Sequence, residues 1–156
     1  MSTFNKQVTV SYTAEQMYTL VNDINAYSTF IPLCSSSVVH EADEQRLKAT
    51  IRIATGKIGF GFTTVNTMEK GRSITMRLEK GPFKSLSGIW RFIPQDENKS
   101  IISLQFDFEF ANKLMGAALN GLFAQLCDSM IEAFRHEAAF RYEHTVSPAQ
   151  MEHVYR

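Results

Sequence analysis

The sequence predicts an α+β fold in which a curved antiparallel β-sheet wraps around one long C-terminal α-helix. Apolar residues recur at every second position between residues 47 and 110, and an apolar stripe of helical period follows residue 112. Period two with one apolar face is typical of antiparallel strands, and period 3.6 is typical of an amphipathic helix. Because one helix cannot cover about six flat strands, the sheet must curl around it in a helix-grip arrangement.

The N-terminal segment predicts one strand followed by two short helices. Residues 4–11 alternate apolar and polar side chains. Thr13 and Gln16 have the spacing of a capping box, which predicts that a helix begins at the residue after Thr13. A second short helix is expected over residues 24–31, and it ends there because the residue before Pro32 is disfavoured in the α region.

The central segment predicts about six strands joined by short turns. Turn-forming residues separate the alternating runs at 44–45, 55–57, 70–72 and 96–98. The strand that carries Trp90 and Phe92 is expected to end at Pro94, because proline cannot donate to a strand ladder. Glycines inside the runs, where the sheet is expected to bend, are Gly59, Gly61 and Gly88.

The C-terminal segment predicts a single amphipathic helix that completes the domain. Its apolar stripe starts after Asn112 and continues for about 30 residues, to near His144. Residues 1–144 are therefore expected to form one domain with a single core. Residues 145–156 contain Pro148 and no stripe, which is typical of a loosely ordered tail.

Composition excludes several classes of function. Sixteen Lys and Arg residues balance sixteen Asp and Glu residues, so no global charge favours DNA or an anionic membrane. Cys34 and Cys127 are too few for a disulfide framework, and reduced thiols in the cytoplasm are expected. The N-terminus lacks the features of a targeting sequence, and no continuous apolar run reaches the ~20 residues of a bilayer span. A transient membrane contact stays open.

No catalytic or metal-binding constellation is recognisable. The segment beginning at His136 resembles the H-E-x-x-H zinc motif but carries Phe140 in place of the second histidine. Asp107 and Glu109 share one strand face with polar neighbours, which favours a solvated stripe over an acid–base pair. We therefore expect no enzyme activity, no metal and no cofactor other than a bound lipid.

The apolar residues of the inward faces are candidates for a ligand cavity. A lipid pocket needs apolar walls with few polar anchors. The same pattern is typical of an ordinary packed core, and both interpretations stay open here. The candidate cavity residues from the pattern are Phe60, Phe62, Leu78, Trp90, Phe106, Phe108, Leu119, Phe123 and Met130.

Three segments resemble a known family. Residues 21–34, VNDINAYSTFIPLC, resemble the V-x-D-x-x-x-Y-x-x-F-x-P signature of the coenzyme-Q-binding protein family. Residues 81–92, GPFKSLSGIWRF, resemble its G-P-F-K-x-L-x-G-x-W-x-F block, and residues 107–114, DFEFANKL, are similar to a stretch of its bacterial branch. The family belongs to the START-like, polyketide-cyclase-like helix-grip superfamily. This sequence departs from it at Leu33, where many members carry Trp.

The resemblance implies two functions. Mitochondrial members bind ubiquinone and support respiratory electron transfer, whereas bacterial members are described as ribosome-association toxins that bind the large subunit and oppose subunit joining. We expect non-catalytic binding of ubiquinone or a related prenyl lipid, with the ribosomal role as the alternative. A polyketide cyclase-like enzyme is a third interpretation, supported by the superfamily only. The lipid, its occupancy, an antitoxin partner and the oligomeric state stay open.

The matched motifs suggest roles for individual residues. Phe83, placed by the turn at Pro82, would cap the mouth of the cavity beside Leu86, and the Trp90 indole N–H would be available to a quinone carbonyl. A lid beside the pocket would consist of Tyr27, Phe30, Pro32 and Leu33, for which plain helix–sheet packing is the alternative. Candidate ribosome contacts are the cationic residues Lys80, Lys84, Arg91, Lys113, Arg135 and Arg141.

Overall fold

A seven-stranded antiparallel sheet forms one layer of the fold in the computed structural model, which describes residues 1–143. The sheet order is β1-β7-β6-β5-β4-β3-β2, so β2 to β7 form a meander and β1 pairs with β7 at one edge. The strands are β1 Ser2–Val10, β2 Cys34–Ala42, β3 Arg46–Thr55, β4 Ile58–Glu69, β5 Ser73–Lys80, β6 Phe83–Asp96 and β7 Lys99–Phe110.

Helices form the second layer and confirm the predicted order of elements. Helix α1 (Ala14–Asn22), a 3-10 turn (Ile24–Ala26) and the short helix α2 (Tyr27–Phe30) lie between β1 and β2. The long helix α3 (Lys113–Ala138) continues into a π-helical turn (Ala139–Glu143). The predicted α+β helix grip is therefore confirmed, while the predicted tail at 145–156 lies outside the described residues.

Side chains cap the first turns of both main helices. The Gln16 amide N–H donates to Thr13 Oγ1 at 3.0 Å, and the Thr13 N–H donates to Gln16 Oε1 at 2.9 Å. This is the predicted capping box, which satisfies two backbone donors that a helix start would leave unpaired. Asn112 caps α3 in a similar way, because its Oδ1 accepts from the Met115 N–H at 2.8 Å.

The core lies between the concave face of the sheet and the apolar stripe of α3. Phe123 and Phe134 on α3 are fully buried, as are Ile102 and Leu104 on β7. The outward side chains of β7 alternate with the buried ones and are partly exposed, as predicted for a sheet with one wet face. The first turn of α3 is not covered, and Leu114 is 81% exposed.

Strand β6 is longer than expected. It continues past Pro94 to Asp96, and Pro94 pairs with Ser100 on β7. The prediction that the strand ends at Pro94 is wrong because the register shifts between Pro94 and Asp96. At such an irregularity the backbone N–H does not have to donate to the neighbouring strand, so proline, which has no N–H, is accommodated.

Helix α3 is the one element of residues 1–143 that bears on the expectation about membrane spans. By length and composition alone, the segment Lys113–Glu143 could cross a membrane. No continuous apolar run exists in it, because polar residues interrupt the stripe at each turn. In this fold the stripe packs against the sheet, as is usual for the core helix of a helix-grip domain.

Gly88 permits close packing on the concave face. A Cβ at this position would lie 2.4 Å from Phe106 Cδ1 and 2.9 Å from Met76 Cε. The Phe106 ring therefore occupies the space that the side chain of any residue larger than glycine would need at position 88.

Replacing Gly88 by alanine is expected to lower the free energy of unfolding by about 1–3 kcal/mol, because the added methyl overpacks the core. The matched change Gly121→Ala, where nothing lies within 4 Å, is expected to raise it by about 0.5–1 kcal/mol through helix propensity. Urea unfolding measures both. Equal effects of the two substitutions would contradict the packing assigned to Gly88.

Candidate functional site

One half of the interior is a solid cluster of phenylalanine rings around Phe123. The ring centroids of Phe83 and Phe110 are 4.4 Å apart and stacked, and those of Phe108 and Phe123 are 4.7 Å apart. Phe60 and Phe62 complete the cluster from β4. These edge-to-face and stacked contacts leave this half closely packed.

The other half contains a small cavity of about 30 Å³. It lies between the concave face, α3 and the helices that follow β1. Its walls are mainly apolar: Val21, Ile24, Tyr27, Ile51, Phe62, Ile74, Met76, Trp90, Phe106, Phe123, Leu126 and Met130. A cavity of this size holds about one or two water molecules.

Three polar groups face this cavity. Thr64 and Asn66 lie on β4, and Thr64 Oγ1 donates to Asn66 Oδ1 at 2.9 Å. The third is Trp90, which lines the cavity, carries an indole N–H and is 1% exposed. Within residues 1–143 there is no hydrogen-bond acceptor for the Trp90 N–H or for the Asn66 amide nitrogen. Polar groups in an interior normally have a partner. Among the described residues, the fully buried side-chain atoms without one are Asn22 Oδ1 and Ser85 Oγ, so the Trp90 and Asn66 nitrogens keep some accessible surface at which a partner can bind.

The structure divides the eleven predicted cavity residues between the two halves of the interior. Five of them line the cavity: Phe62, Trp90, Phe106, Phe123 and Met130. Phe60, Phe83 and Phe108 belong to the aromatic cluster instead. The remaining three pack against the core without lining the cavity: Leu78, Leu86 and Leu119.

Of the four predicted lid residues, Tyr27 alone lines the cavity. It is buried, its hydroxyl donates to the Val21 carbonyl, and its ring centroid lies 5.3 Å from that of Phe134. Phe30 packs on the same Phe134 ring at 5.5 Å. These contacts pack α2 against α3, and the lid role stays a prediction.

Pro32 and Leu33 lie in the connection to β2, away from the cavity. Pro32 is exposed, and Leu33 has a φ of 71°, the left-handed region that side chains other than glycine rarely adopt. The Leu33 carbonyl accepts from the Ala54 N–H at 2.9 Å, which ties this connection to β3. The strained backbone at Leu33 therefore serves the junction between α2 and the sheet.

Thr64 and Asn66 were missed by the sequence analysis, which treated polar residues as outward-facing. The signal that would have found them is the continued alternation of β4. Phe60 and Phe62 point inward, so the next inward positions are 64, 66 and 68, and all three are buried. Ile74 and Met76 were missed for a different reason. They share their strand face with Leu78, and the sequence analysis selected Leu78 from that face, whereas the structure has Ile74 and Met76 in the cavity wall.

The cationic candidates do not form one patch. Lys80, Lys84 and Lys113 lie at the same end of the molecule, because the Ala111 N–H donates to the Pro82 carbonyl at 2.8 Å and joins the two turns that carry them. Lys84 Nζ is 3.7 Å from a Glu109 carboxylate oxygen. We refer to Lys80, Lys84 and Lys113 as the lysine end.

The three arginine candidates lie elsewhere. Arg91 borders a surface groove that also contains Lys70 and Arg72. Arg135 is paired with Glu132 at 3.0 Å. Arg141 lies 3.1 Å from an Asp23 oxygen and 3.4 Å from a Glu137 oxygen, so its charge is already engaged in the fold.

Ionisable groups with catalytic potential are engaged in structure or buried. Asp107 Oδ1 accepts from Thr3 Oγ1 at 2.8 Å, and Glu109 pairs with Lys84 and the terminal amine. Burial raises the pKa of the Cys127 thiol and also that of the Cys34 thiol. At Cys34, hydrogen bonds with Ser36 and Ser37 offset a smaller part of the rise in pKa. Among residues 1–143, no group of three or more His, Cys, Asp or Glu side chains could hold a metal ion.

Comparison with known proteins identifies the family. A family model described as polyketide cyclase / dehydrase and lipid transport matches residues 10–135. The chain belongs to this family. The seven-stranded curved sheet and its C-terminal helix are the fold that the family model implies.

Relatives within the family carry two kinds of name. The ribosome association toxin RatA of Vibrio cholerae is 39% identical over 138 residues, covering 88% of this chain and 96% of the relative. The mitochondrial coenzyme Q-binding protein COQ10 of Drosophila melanogaster is 26% identical over 142 residues, covering 88% of this chain and 59% of the relative. Both matches agree with the resemblance found in the sequence motifs.

A solved structure supports the fold. The Zhui aromatase/cyclase from Streptomyces sp. R1128 superposes with a TM-score of 0.79, covering 93% of this chain and 99% of its own, at 18% identity. Similarity at this identity concerns the fold alone. Members and neighbours of the family thus include an enzyme as well as proteins named for binding.

The buried phenol of Tyr27 generates a pH prediction. Burial raises its pKa above the ordinary value of 10.0, because the native site disfavours the phenolate. Above about pH 10 the unfolded chain releases a proton that the native protein keeps, so stability falls by up to about 1.4 kcal/mol per pH unit for this group. Below about pH 10 the group has no such effect.

The Tyr27→Phe variant is expected to lose stability less steeply than the parent between pH 10 and pH 11, although it starts lower because the Val21 carbonyl loses its donor. Urea unfolding across pH 8–11 measures the slope. Tyr12, Tyr18 and Tyr142 also have raised pKa values and contribute equally to both proteins. Parallel pH profiles would contradict the assignment.

Proposed function

We propose that the protein binds a hydrophobic molecule with an oxygen-bearing head group, most simply ubiquinone or a related prenyl quinone, between the sheet and α3. The observation that carries this proposal is Trp90, which is 1% exposed and lines the cavity, and whose indole N–H makes no hydrogen bond among the described residues. A buried donor without an acceptor costs about 1–3 kcal/mol. A ligand carbonyl would recover that free energy.

The surroundings of Trp90 support an apolar ligand. Isoleucine, methionine and phenylalanine side chains form most of the cavity wall, and small-molecule sites typically combine such walls with a few placed polar groups. The name of the Drosophila relative, coenzyme Q-binding protein, agrees with this chemistry. A benzoquinone ring with a prenyl tail has two carbonyl oxygens on an otherwise apolar body.

Binding requires the interior to open. The cavity of about 30 Å³ is roughly one-tenth of the smallest pockets that hold drug-sized ligands. Met76 and Met130 line it and are unbranched, so their side chains can rearrange at low cost. The described shape is thus a closed form, and association limited by opening is expected to be slower than for a preformed pocket.

The proposed role is non-catalytic. Enclosure would keep the quinone ring out of water and hold its orientation, so that the protein carries or presents the ligand without changing it. The ionisable groups described above lie on the surface or in structural contacts, and none of Asp107, Glu109 or Cys127 lines the cavity. Cyclase-like catalysis has only the fold similarity at 18% identity as support.

Protein purified without detergent is expected to contain a prenyl quinone that mass spectrometry detects in its organic extract. The Trp90→Phe variant keeps the ring packing and removes the N–H, so its quinone content is expected to fall several-fold, about what one lost hydrogen bond costs. Phe92→Leu, a change in the packed core beside Trp90 and outside the cavity, is the control. Extracts without quinone, also after incubation with ubiquinone, would contradict the proposal.

A second function, association with the large ribosomal subunit, is favoured by the relatives. RatA of Vibrio cholerae is named a ribosome association toxin and matches this chain over 96% of its length. The lysine end supplies cations for a phosphate-rich surface, and Lys80 and Lys113 have no ion-pair partner among the described residues. Ribosome binding takes place in the cytoplasm, which is the expected compartment.

The double variant Lys80→Glu, Lys113→Glu is expected to cosediment with large ribosomal subunits about tenfold more weakly at low salt, and its salt dependence should be less steep, because each phosphate contact contributes to the slope. Lys99→Glu at the start of β7 provides the control for a charge change elsewhere. Binding by the parent that does not respond to salt would exclude the lysine end as the contact.

A further inference from the structure

We propose that Asn66 is the polar anchor of the cavity and donates its amide N–H groups to a carbonyl oxygen of the bound ligand, with Trp90 as the second donor. This inference rests on the proposed binding of a hydrophobic ligand and names the head group that the site selects. The ligand class is a small ring with two carbonyl oxygens, such as a para-quinone.

The position of Asn66 follows from the alternation of β4. Asn66 lies two residues from Thr64 and two from Met68 on the inward face, and it is 2% exposed. Its partner across the sheet is Met76 on β5. The amide side chain is thereby held in the interior of the domain, where it loses its hydrogen bonds to water. An apolar residue at this position would have no such bonds to lose.

Thr64 determines how the amide is oriented. Its Oγ1 donates to Asn66 Oδ1 at 2.9 Å, so the oxygen of the amide is satisfied. The amide nitrogen then carries two N–H donors, for which residues 1–143 provide no acceptor. Because both polar residues line the cavity, the missing acceptor is expected to come from whatever enters it.

Trp90 provides a second donor from another strand. Its partner on β5 is Ile74, two residues from Met76, so Asn66 and Trp90 lie on the two strands that flank β5. Met76 is in turn opposite Gly88, whose missing side chain leaves the space that the Phe106 ring occupies in the cavity wall. Two donors on separate strands suit a ring with two separated carbonyl oxygens better than a fatty acyl chain, whose oxygens lie at one end.

The cavity at its present size fits one or two water molecules equally well. Water bound to Asn66 would satisfy the amide without any ligand. The experiment therefore has to distinguish a quinone from water at the same donors.

The test compares decylubiquinone binding to the parent, to Asn66→Leu and to Asn22→Leu, followed by quenching of Trp90 fluorescence. Leucine has the same number and branching of side-chain heavy atoms as asparagine and removes both donors, so Asn66→Leu is expected to raise Kd about tenfold. Asn22 also has a buried side-chain oxygen without a partner but does not line the cavity, so its variant should bind like the parent. Infrared spectra of the bound quinone should show a lowered carbonyl stretch in the parent and a smaller shift in Asn66→Leu.

Each outcome has a distinct meaning. Equal affinities and unchanged carbonyl stretches in the parent and Asn66→Leu would overturn the anchor while leaving quinone binding intact. No binding by the parent would overturn the proposed function, and the anchor with it, in favour of water at Asn66. If Asn66→Leu does not fold, the side-chain amide resonances of Asn66 in the labelled parent decide: they should shift on adding decylubiquinone, and an unchanged Asn66 beside a shifted Trp90 indole would overturn the anchor.

Discussion

The structure depends on the packing of α3 against the concave face of the sheet. Phe123 is the central contact, because it touches rings from three strands at once. Burying a phenylalanine side chain contributes about 1.5–3 kcal/mol, and edge-to-face contacts add to that amount. The curl of the sheet and the position of the cavity both follow from this helix, because without it the inward faces of β4, β6 and β7 would have no cover. The rings around Phe123 are Phe60, Phe62, Phe83, Phe106, Phe108 and Phe110.

The interior separates stability from binding. The aromatic half is closely packed, and rearranging it would lose many ring contacts simultaneously. The half around Asn66 contains the small cavity, two adaptable methionines and the unpaired donors, so it is where a ligand can enter at the lowest cost. Phe62, Phe106 and Phe123 belong to both halves, so the closely packed rings of the cluster also form part of the cavity wall.

Most of the fold could be predicted from the sequence, and about half of the cavity wall could not. Alternation and the capping box at Thr13 locate the strands and α1 because they are local signals. Leu78 and Leu119, which the sequence analysis assigned to a cavity, lie outside the small cavity described here, because the division of the interior depends on ring packing between distant strands. Asn66 was missed because two signals disagree at this position. The alternation of β4 places residue 66 on the inward face, whereas the polarity of asparagine suggests the outward face. The dispersal of the cationic residues likewise depends on topology, since Arg91 and Lys84 lie on one strand but at different ends of the molecule.

Lipid binding and ribosome association are physically compatible in one chain of this size. The groups that favour a ligand, Asn66 and Trp90, are buried on the concave face, whereas Lys80 and Lys113 are exposed at the turns. Substitutions at sites without shared contacts usually have additive effects, so each role can be altered while the other is kept. Relatives named for coenzyme Q and relatives named for the ribosome are both similar to this chain. The interior chemistry, more than the fold, therefore distinguishes the candidate functions.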